Sequence, residues 1–183
     1  AGFLWAVVEG VEALDDAPRL RFTEHLVGEV ARLRACHADS ILESDTAGDV
    51  LRFRFQDLEA SARLALDLAD SMWELGREIR ASGAPATPGL RLEVHADRVR
   101  IERPVPGPRD STEHASISAA RVVPRTPVNQ VYATETYAAI ARARRFEGLA
   151  MRYVGVRRPA EGGSTTALYH LERDPGRPGG PLS

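Results

Sequence analysis

The stretch Thr46-Ala47-Gly48-Asp49-Val50-Leu51-Arg52-Phe53-Arg54-Phe55 gives the clearest indication of the fold. Its apolar residues Leu51, Phe53 and Phe55 alternate with arginines, which is typical of a strand with one buried and one solvated face. Gly48-Asp49 lies where a tight hairpin turn is expected. The stretch therefore predicts a β-hairpin whose second strand runs from residue 50 to residue 55.

Strands and helices on either side of this hairpin define the core. Residues 3–8 are apolar on both faces and predict a buried strand. Residues 17–35 and 57–80 follow helical spacing, the second with a continuous apolar stripe. From residue 90 the alternation resumes and predicts another strand. The order β-α-β-β-α-β, as an antiparallel sheet with two long helices on one face, is the ferredoxin-like arrangement.

The C-terminal half predicts an extension of this core. A helix is expected over residues 112–123, a short strand over 128–133, a helix over 134–145, and two strands over 149–157 and 165–172. We therefore expect an α+β fold with a βαββαβ core and a C-terminal βαββ-type extension. The domain is expected to span residues 1–173, and the Pro/Gly-rich residues 174–183 are expected to form a disordered tail.

Composition excludes several classes of protein. The chain has 183 residues and a formal net charge of -2, which gives no electrostatic reason to expect a nucleic-acid partner. Its single cysteine, Cys36, excludes an internal disulfide and favours a reducing, cytoplasmic compartment. No apolar run approaches the ~20 residues that span a bilayer, so no membrane segment is expected. All its basic side chains other than histidine are arginines.

Five segments, in the right order, resemble the catalytic domains of class III adenylyl and guanylyl cyclases. They are the first strand (residues 4–10), the Gly-Asp hairpin (47–53), the Leu90-Arg91-Leu92-Glu93-Val94-His95 strand, the segment 110–121 ending Ser-Ala-Ala-Arg, and the segment 128–135. Each segment is a weak signal alone, but their order and spacing support one another. The resemblance implies a nucleotide cyclase-like fold over residues 3–172.

Members of this family use two divalent ions, Mg²⁺ or Mn²⁺, when the ribose 3′-oxygen attacks the α-phosphorus. Two aspartates hold the ions. Val7 stands at the first aspartate position and cannot bind a metal, whereas Asp49 matches the second. Glu9 lies two residues further on the same strand face and is a candidate replacement, and Asp49 is equally a good turn residue. We therefore expect Asp49 to be a remnant metal ligand and no bound cofactor, with Mg²⁺ or Mn²⁺ needed only if nucleotide activity remains.

The remaining family positions are also mixed. Adenylyl cyclases read the purine with a lysine and an aspartate; Asp45 stands at the lysine position, and Asp110 matches the aspartate but also suits a helix N-cap. The transition state is held by an asparagine and an arginine on one helix face, at positions that are here Ile117 and Arg121. The resemblance therefore assigns nucleotide contact to Asp110 and Arg121, with Arg121 as a remnant catalytic residue. A surface ion pair explains Arg121 equally well. His95 is interpreted as structural.

Three functional hypotheses follow. The leading one is a degenerate cyclase-homology domain, a pseudoenzyme acting as a regulatory or dimerisation module in bacterial-type signalling. Its expected partner is a second copy or another cyclase-like domain. The second is a divergent nucleotide cyclase, a phosphorus-oxygen lyase acting on ATP or GTP, in which Glu9 or Glu43 faces Asp49 across a cavity. The third is a non-catalytic sensor of a nucleotide or another small anion.

Overall fold

The computed structural model describes residues 1–96, 126–157 and 165–174 of the chain. The predicted helix over residues 112–123 lies outside these ranges, as does the tail beyond residue 174. In chain order, the elements are β1 (Gly2–Glu9), α1 (Asp16–Cys36), β2 (Ile41–Ala47), β3 (Val50–Phe55), α2 (Leu58–Ala81), β4 (Gly89–Ala96), β5 (Val131–Thr134), α3 (Glu135–Arg144), β6 (Leu149–Arg157) and β7 (Thr166–Arg173).

The strands form one seven-stranded sheet in the order β2-β3-β1-β4-β5-β7-β6. Its first four strands pair antiparallel and form the predicted ferredoxin-like core, with β1 central between β3 and β4. The sheet as a whole is mixed, because β4 pairs with β5 in parallel. The predicted antiparallel core is thus confirmed, and the parallel pair joins it to the C-terminal extension. The long connection between β4 and β5 gives the chain room for the crossover that a parallel pair requires.

The strand predicted over residues 128–133 begins later than expected, at Val131. Asn129 has a left-handed backbone, with φ of 56°. Its N–H donates to the Leu90 carbonyl oxygen at 2.5 Å, and its side-chain oxygen accepts from the Leu90 N–H at 2.8 Å. Asn129 therefore serves as a side-chain bridge to β4 and delays the regular pairing of β5.

The core lies between one face of the sheet and the three described helices. Helix α2 carries most of it, because a continuous apolar stripe, including Leu64, Leu68 and Met72, is fully buried. Asp57 caps its N-terminus by accepting from the N–H groups of Glu59 and Ala60 at 3.1 and 3.3 Å. None of the described helices is long and apolar enough to cross a membrane.

One glycine allows α2 to pass close to the segment that leads into β4. A Cβ added at Gly76 would lie 2.4 Å from the carbonyl oxygen of Pro88, which is far inside van der Waals contact. Only a residue without a side chain fits there without a backbone shift. Gly76 therefore fixes the distance between α2 and the first residue of β4.

The opposite face of the sheet, which we call the outer face, carries a continuous lateral row of side chains. Strand register aligns one residue from each strand along it: Asp45, Arg52, Trp5, Glu93, Tyr132, His170 and Arg152. The adjacent positions on β1 are Phe3 and Val7, which form a small apolar cluster with Trp5. The residues that the family resemblance singles out on β1 and β2, Val7 and Asp45, both belong to this face.

Candidate functional site

The end of β1 and the turn of the β2–β3 hairpin lie side by side, as the family resemblance predicts. The Val8 N–H donates to the Asp49 carbonyl oxygen at 2.9 Å. Gly48 takes a left-handed conformation, with φ of 63°, which closes the turn. Val7 is in register with Val50 on one side and with Arg91 on the other. The backbones of the two positions that the family resemblance assigns to metal ligands therefore lie close together, and one of the two side chains is an isopropyl group.

Glu9, the candidate replacement ligand, is occupied by an arginine. Its Oε1 accepts from the Arg91 Nε at 2.7 Å, and the same guanidinium also donates to the Thr126 carbonyl oxygen. A charge-assisted bond of this kind neutralises the carboxylate and fixes its direction. Arg91 therefore pairs with the carboxylate that was the candidate replacement for the missing aspartate.

The two acidic residues of β2 are neutralised in the same way. Asp45 forms an ion pair with Arg52, and Glu43 lies 3.5 Å from the Nε of Arg54. The Arg52 guanidinium also lies over the Trp5 ring, 5.8 Å from its centroid. On the outer face of β1 to β3, each acidic side chain therefore pairs with an arginine. Asp49, at the turn, is not among these pairs.

These contacts decide how well the donor set suits a divalent ion. Mg²⁺ and Mn²⁺ require several oxygen ligands converging on one point. Asp49 is exposed at the turn. It lines a groove beside α1, and the other carboxylate that lines this groove is Glu12, not Glu9 or Glu43. Among the described residues, no group of three or more His, Cys, Asp or Glu side chains is arranged to hold a metal. The described residues do not fit a two-metal site.

Glu93 is the most unusual residue of the outer face, and the sequence analysis did not weigh it. It is 0% exposed, and neither carboxylate oxygen has a hydrogen-bond partner among the described residues. Burial raises its pKa to about 8, and the positive charge of Arg157, whose Nη1 lies 3.9 Å from Oε2, opposes that rise. The Nε1 of the neighbouring Trp5 is also buried and has no hydrogen bond to the described part of the chain.

A signal for Glu93 was present in the sequence. It stands at the glycine position of the family's Leu-Arg-hydrophobic-Gly-hydrophobic-His strand. Strand alternation places it on the same face as Trp5 of β1, its register partner. A glutamate between two apolar residues of a central strand is rarely buried unless it is paired.

The other predicted residues are placed as follows. His95 Nδ1 lies 2.9 Å from the Thr134 Oγ1, a contact between β4 and β5 in keeping with a structural role. Asp110, Ile117 and Arg121 lie outside the described residues. Their assignment to nucleotide or transition-state contact stays a prediction.

A groove of about 800 Å³ lies between α1 and the β2–β3 hairpin. Its floor is apolar and includes Val8, Phe22 and Leu51. Asp49, Glu12 and Arg34 also line it. This groove was not predicted from the sequence.

Comparison with solved structures identifies the fold. The chain superposes on the adenylyl cyclase CyaB from P. aeruginosa with a TM-score of 0.67 and 11% identity, covering 94% of this chain and 93% of that one. Adenylate cyclases from Trypanosoma brucei, solved in their monomeric state, give 0.64 and 17%, covering 96% and 90%. The non-canonical dimeric guanylyl cyclase domain of the RhoGC fusion protein from Blastocladiella emersonii gives 0.52 and 11%, covering 94% and 96%.

Sequence comparison adds no closer relative, since no family model matches the chain and no curated protein does. At these identities the structural likeness shows the fold and not the activity. The high coverage of both chains nevertheless means that the likeness extends over the whole domain. The chain therefore has the fold of the class III adenylyl and guanylyl cyclase domains, as its sequence motifs predicted.

Proposed function

We propose that this domain is a catalytically degenerate cyclase-homology domain that serves as a regulatory or dimerisation module in bacterial-type signalling in the cytoplasm. The observation that carries the proposal is the arginine pairing around the metal positions. Val7 replaces one ligand, and Arg91 neutralises the nearest carboxylate, Glu9, at 2.7 Å. The chain therefore lacks one carboxylate at the metal positions, and the ion pair leaves Glu9 without a free charge to replace it.

The chemistry of cyclisation explains why these changes matter together. Two divalent ions activate the attacking oxygen and neutralise the triphosphate in this reaction class. Loss of a single donor to a transition state typically costs about 10²–10³ in rate. Ile117 at the transition-state asparagine position removes such a donor in addition to the metal ligand. Useful turnover is therefore not expected from this chain.

Pairing with a second copy, or with another cyclase-like domain, is the interaction proposed for this module. The Blastocladiella emersonii neighbour is described as a dimeric domain, which supports dimerisation, while the Trypanosoma brucei neighbours were solved as monomers. A domain that keeps the fold but lacks the catalytic side chains can still bind a partner through its surface. The proposed role of the domain is therefore to bind a partner domain and not to catalyse a reaction.

Two measurements on the purified chain test the proposal. Incubation with ATP or GTP and Mn²⁺ is expected to give no cyclic nucleotide above background, with an active cyclase run in parallel. Val7→Asp is expected to stay inactive as well, because Ile117 remains at the position of the transition-state asparagine. Sedimentation velocity is expected to show a dimer at micromolar concentration. Cyclic product from the unmodified chain would contradict the loss of catalysis, and a monomer at every concentration would contradict dimerisation.

A further inference from the structure

The C-terminal end of α3 concentrates positive charge on the surface. Arg142, Arg144 and Arg145 are all exposed there, in a chain whose formal net charge is -2. Within residues 1–96, 126–157 and 165–174, none of the three forms a salt bridge, whereas Arg91 and Arg173 are each paired with a carboxylate. A group of arginines without carboxylate partners attracts anions.

Capping of α3 does not account for these side chains. Basic residues are common at helix C-termini, where they bond to the last carbonyl groups and offset the negative end of the helix dipole. Here the N–H groups of Arg145 and Phe146 donate to the carbonyl oxygens of Arg142 and Ala141, each at 3.2 Å. The backbone therefore satisfies the end of the helix without the arginine side chains.

Two of the three arginines line a small concavity between α3 and β6. It has a volume of about 170 Å³ and is lined by Ala141, Arg142, Arg145, Phe146, Leu149 and Met151. The lining thus combines two guanidinium groups with side chains that are all apolar. Arg144 does not line this concavity, although it lies in the same turn of the helix.

The Arg142 side chain is held in place by an aromatic ring. Its Cζ lies over the Tyr169 ring, 4.7 Å from the centroid, and Tyr169 makes an edge-to-face contact with Tyr153 at 5.7 Å. Stacking on a ring orients the plane of a guanidinium group and leaves the N–H groups at its edges available to a ligand. A donor that is already ordered loses less conformational entropy on binding. Arg142 is therefore preorganised to bind an anion.

The chemistry of the lining selects one class of anion. A guanidinium group donates two parallel N–H bonds to phosphate oxygens, and a phosphate monoester carries close to two negative charges and three free oxygens near neutral pH. A carboxylate offers a single charge and two oxygens. The apolar side chains of Leu149 and Met151 favour an ester group of low polarity, and the volume of the concavity limits that group to a small one.

We propose that the concavity at the end of α3 binds a small organic phosphate monoester. Arg142 and Arg145 donate to its phosphate oxygens, and its apolar ester group lies against Leu149 and Met151. The inference goes beyond the proposed function: it holds whether or not the domain dimerises, and it uses none of the positions that the family resemblance assigns to metal or nucleotide.

Phenyl phosphate serves as the probe, titrated calorimetrically into the full chain at about 0.1 M NaCl, which screens non-specific attraction. Saturable binding is expected. Arg142→Gln and Arg145→Gln are each expected to weaken it by about tenfold or more, because each removes a charged donor. Arg144→Gln removes the same charge outside the concavity and is expected to leave the affinity unchanged. Far-ultraviolet circular dichroism verifies that each variant is folded.

Two further ligands test the assigned chemistry. Inorganic phosphate, which lacks the ester group, and benzoate, which lacks the phosphate, are each expected to bind more weakly than phenyl phosphate. Absence of saturable binding by the unmodified chain would overturn the proposal. Equal weakening by Arg144→Gln and Arg142→Gln would also overturn it, because net charge alone would then explain the attraction. Benzoate or inorganic phosphate binding as tightly as phenyl phosphate would overturn the assignment to a phosphate monoester.

Discussion

Glu93 makes the stability of the domain depend on pH in a direction that is unusual for a carboxylate. Burial raises its pKa from 4.5 to about 8. The folded state therefore holds the proton more tightly than the unfolded state does. The stabilisation is fully present below pH 4.5 and is lost as the pH rises through 8. At about 1.4 kcal/mol per pKa unit, ionisation of Glu93 costs the folded state on the order of 5 kcal/mol.

Glu93→Gln removes this titration while keeping the shape of the protonated side chain. Relative to the unmodified chain, we expect the variant to gain about 1 kcal/mol of unfolding free energy at pH 5, about 3 kcal/mol at pH 7 and about 5 kcal/mol at pH 9. Only the pH-dependent part of the difference reports on ionisation, since a uniform offset reflects packing of the amide. The pKa of about 8 already includes the opposing effect of Arg157.

Urea unfolding followed by far-ultraviolet circular dichroism at the three pH values measures the difference. Glu24→Gln, at an exposed position of α1, serves as the control and is expected to show no comparable trend. A gain in unfolding free energy that is the same at all three pH values would contradict the raised pKa of Glu93. A variant that is less stable than the unmodified chain at pH 9 would show that the ionised Glu93 and Arg157 form a net stabilising pair.

Four further substitutions test the packing of the helices. Gly76→Ala is expected to cost about 1–3 kcal/mol of unfolding free energy, because its Cβ would meet the Pro88 carbonyl oxygen, whereas Gly28→Ala in α1 has open space and is expected to stabilise by about 0.5–1 kcal/mol. Asp57→Ala is expected to cost about 1 kcal/mol through loss of the α2 cap. Tyr137→Phe is expected to cost about 1 kcal/mol, because its buried hydroxyl bonds to α2. Thermal and urea unfolding measure all of these, and a neutral Gly76→Ala would contradict the close approach.

The ferredoxin-like core was predictable because its signals are local. The alternation of Leu51, Phe53 and Phe55 sets which face of β3 is buried, and all three side chains are indeed buried. The helical stripe of α2 likewise sets its orientation toward the sheet. The spacing of apolar residues and the residue types of a tight turn are properties of a short segment, so both can be read from a single sequence.

The features that were not predicted depend on contacts between distant segments. The parallel pairing of β4 with β5 depends on the path of the connection between them, and Asn129 bridges to Leu90 across that connection. The ion pair of Glu9 with Arg91 joins two strands that only the folded sheet brings together. For this reason the sequence identified which family residues were missing, but not that arginines pair with Glu9, Glu43 and Asp45.

We expect that the domain forms no metal-nucleotide site, and isothermal titration measures nucleotide binding directly. The purified chain is titrated with non-hydrolysable ATP and GTP analogues, with and without Mn²⁺. We expect no Mn²⁺-dependent binding of either analogue, because Val7 and the Glu9–Arg91 pair leave Asp49 without a second ligand. Binding that is tight only when Mn²⁺ is present would contradict it and would restore the divergent-cyclase hypothesis.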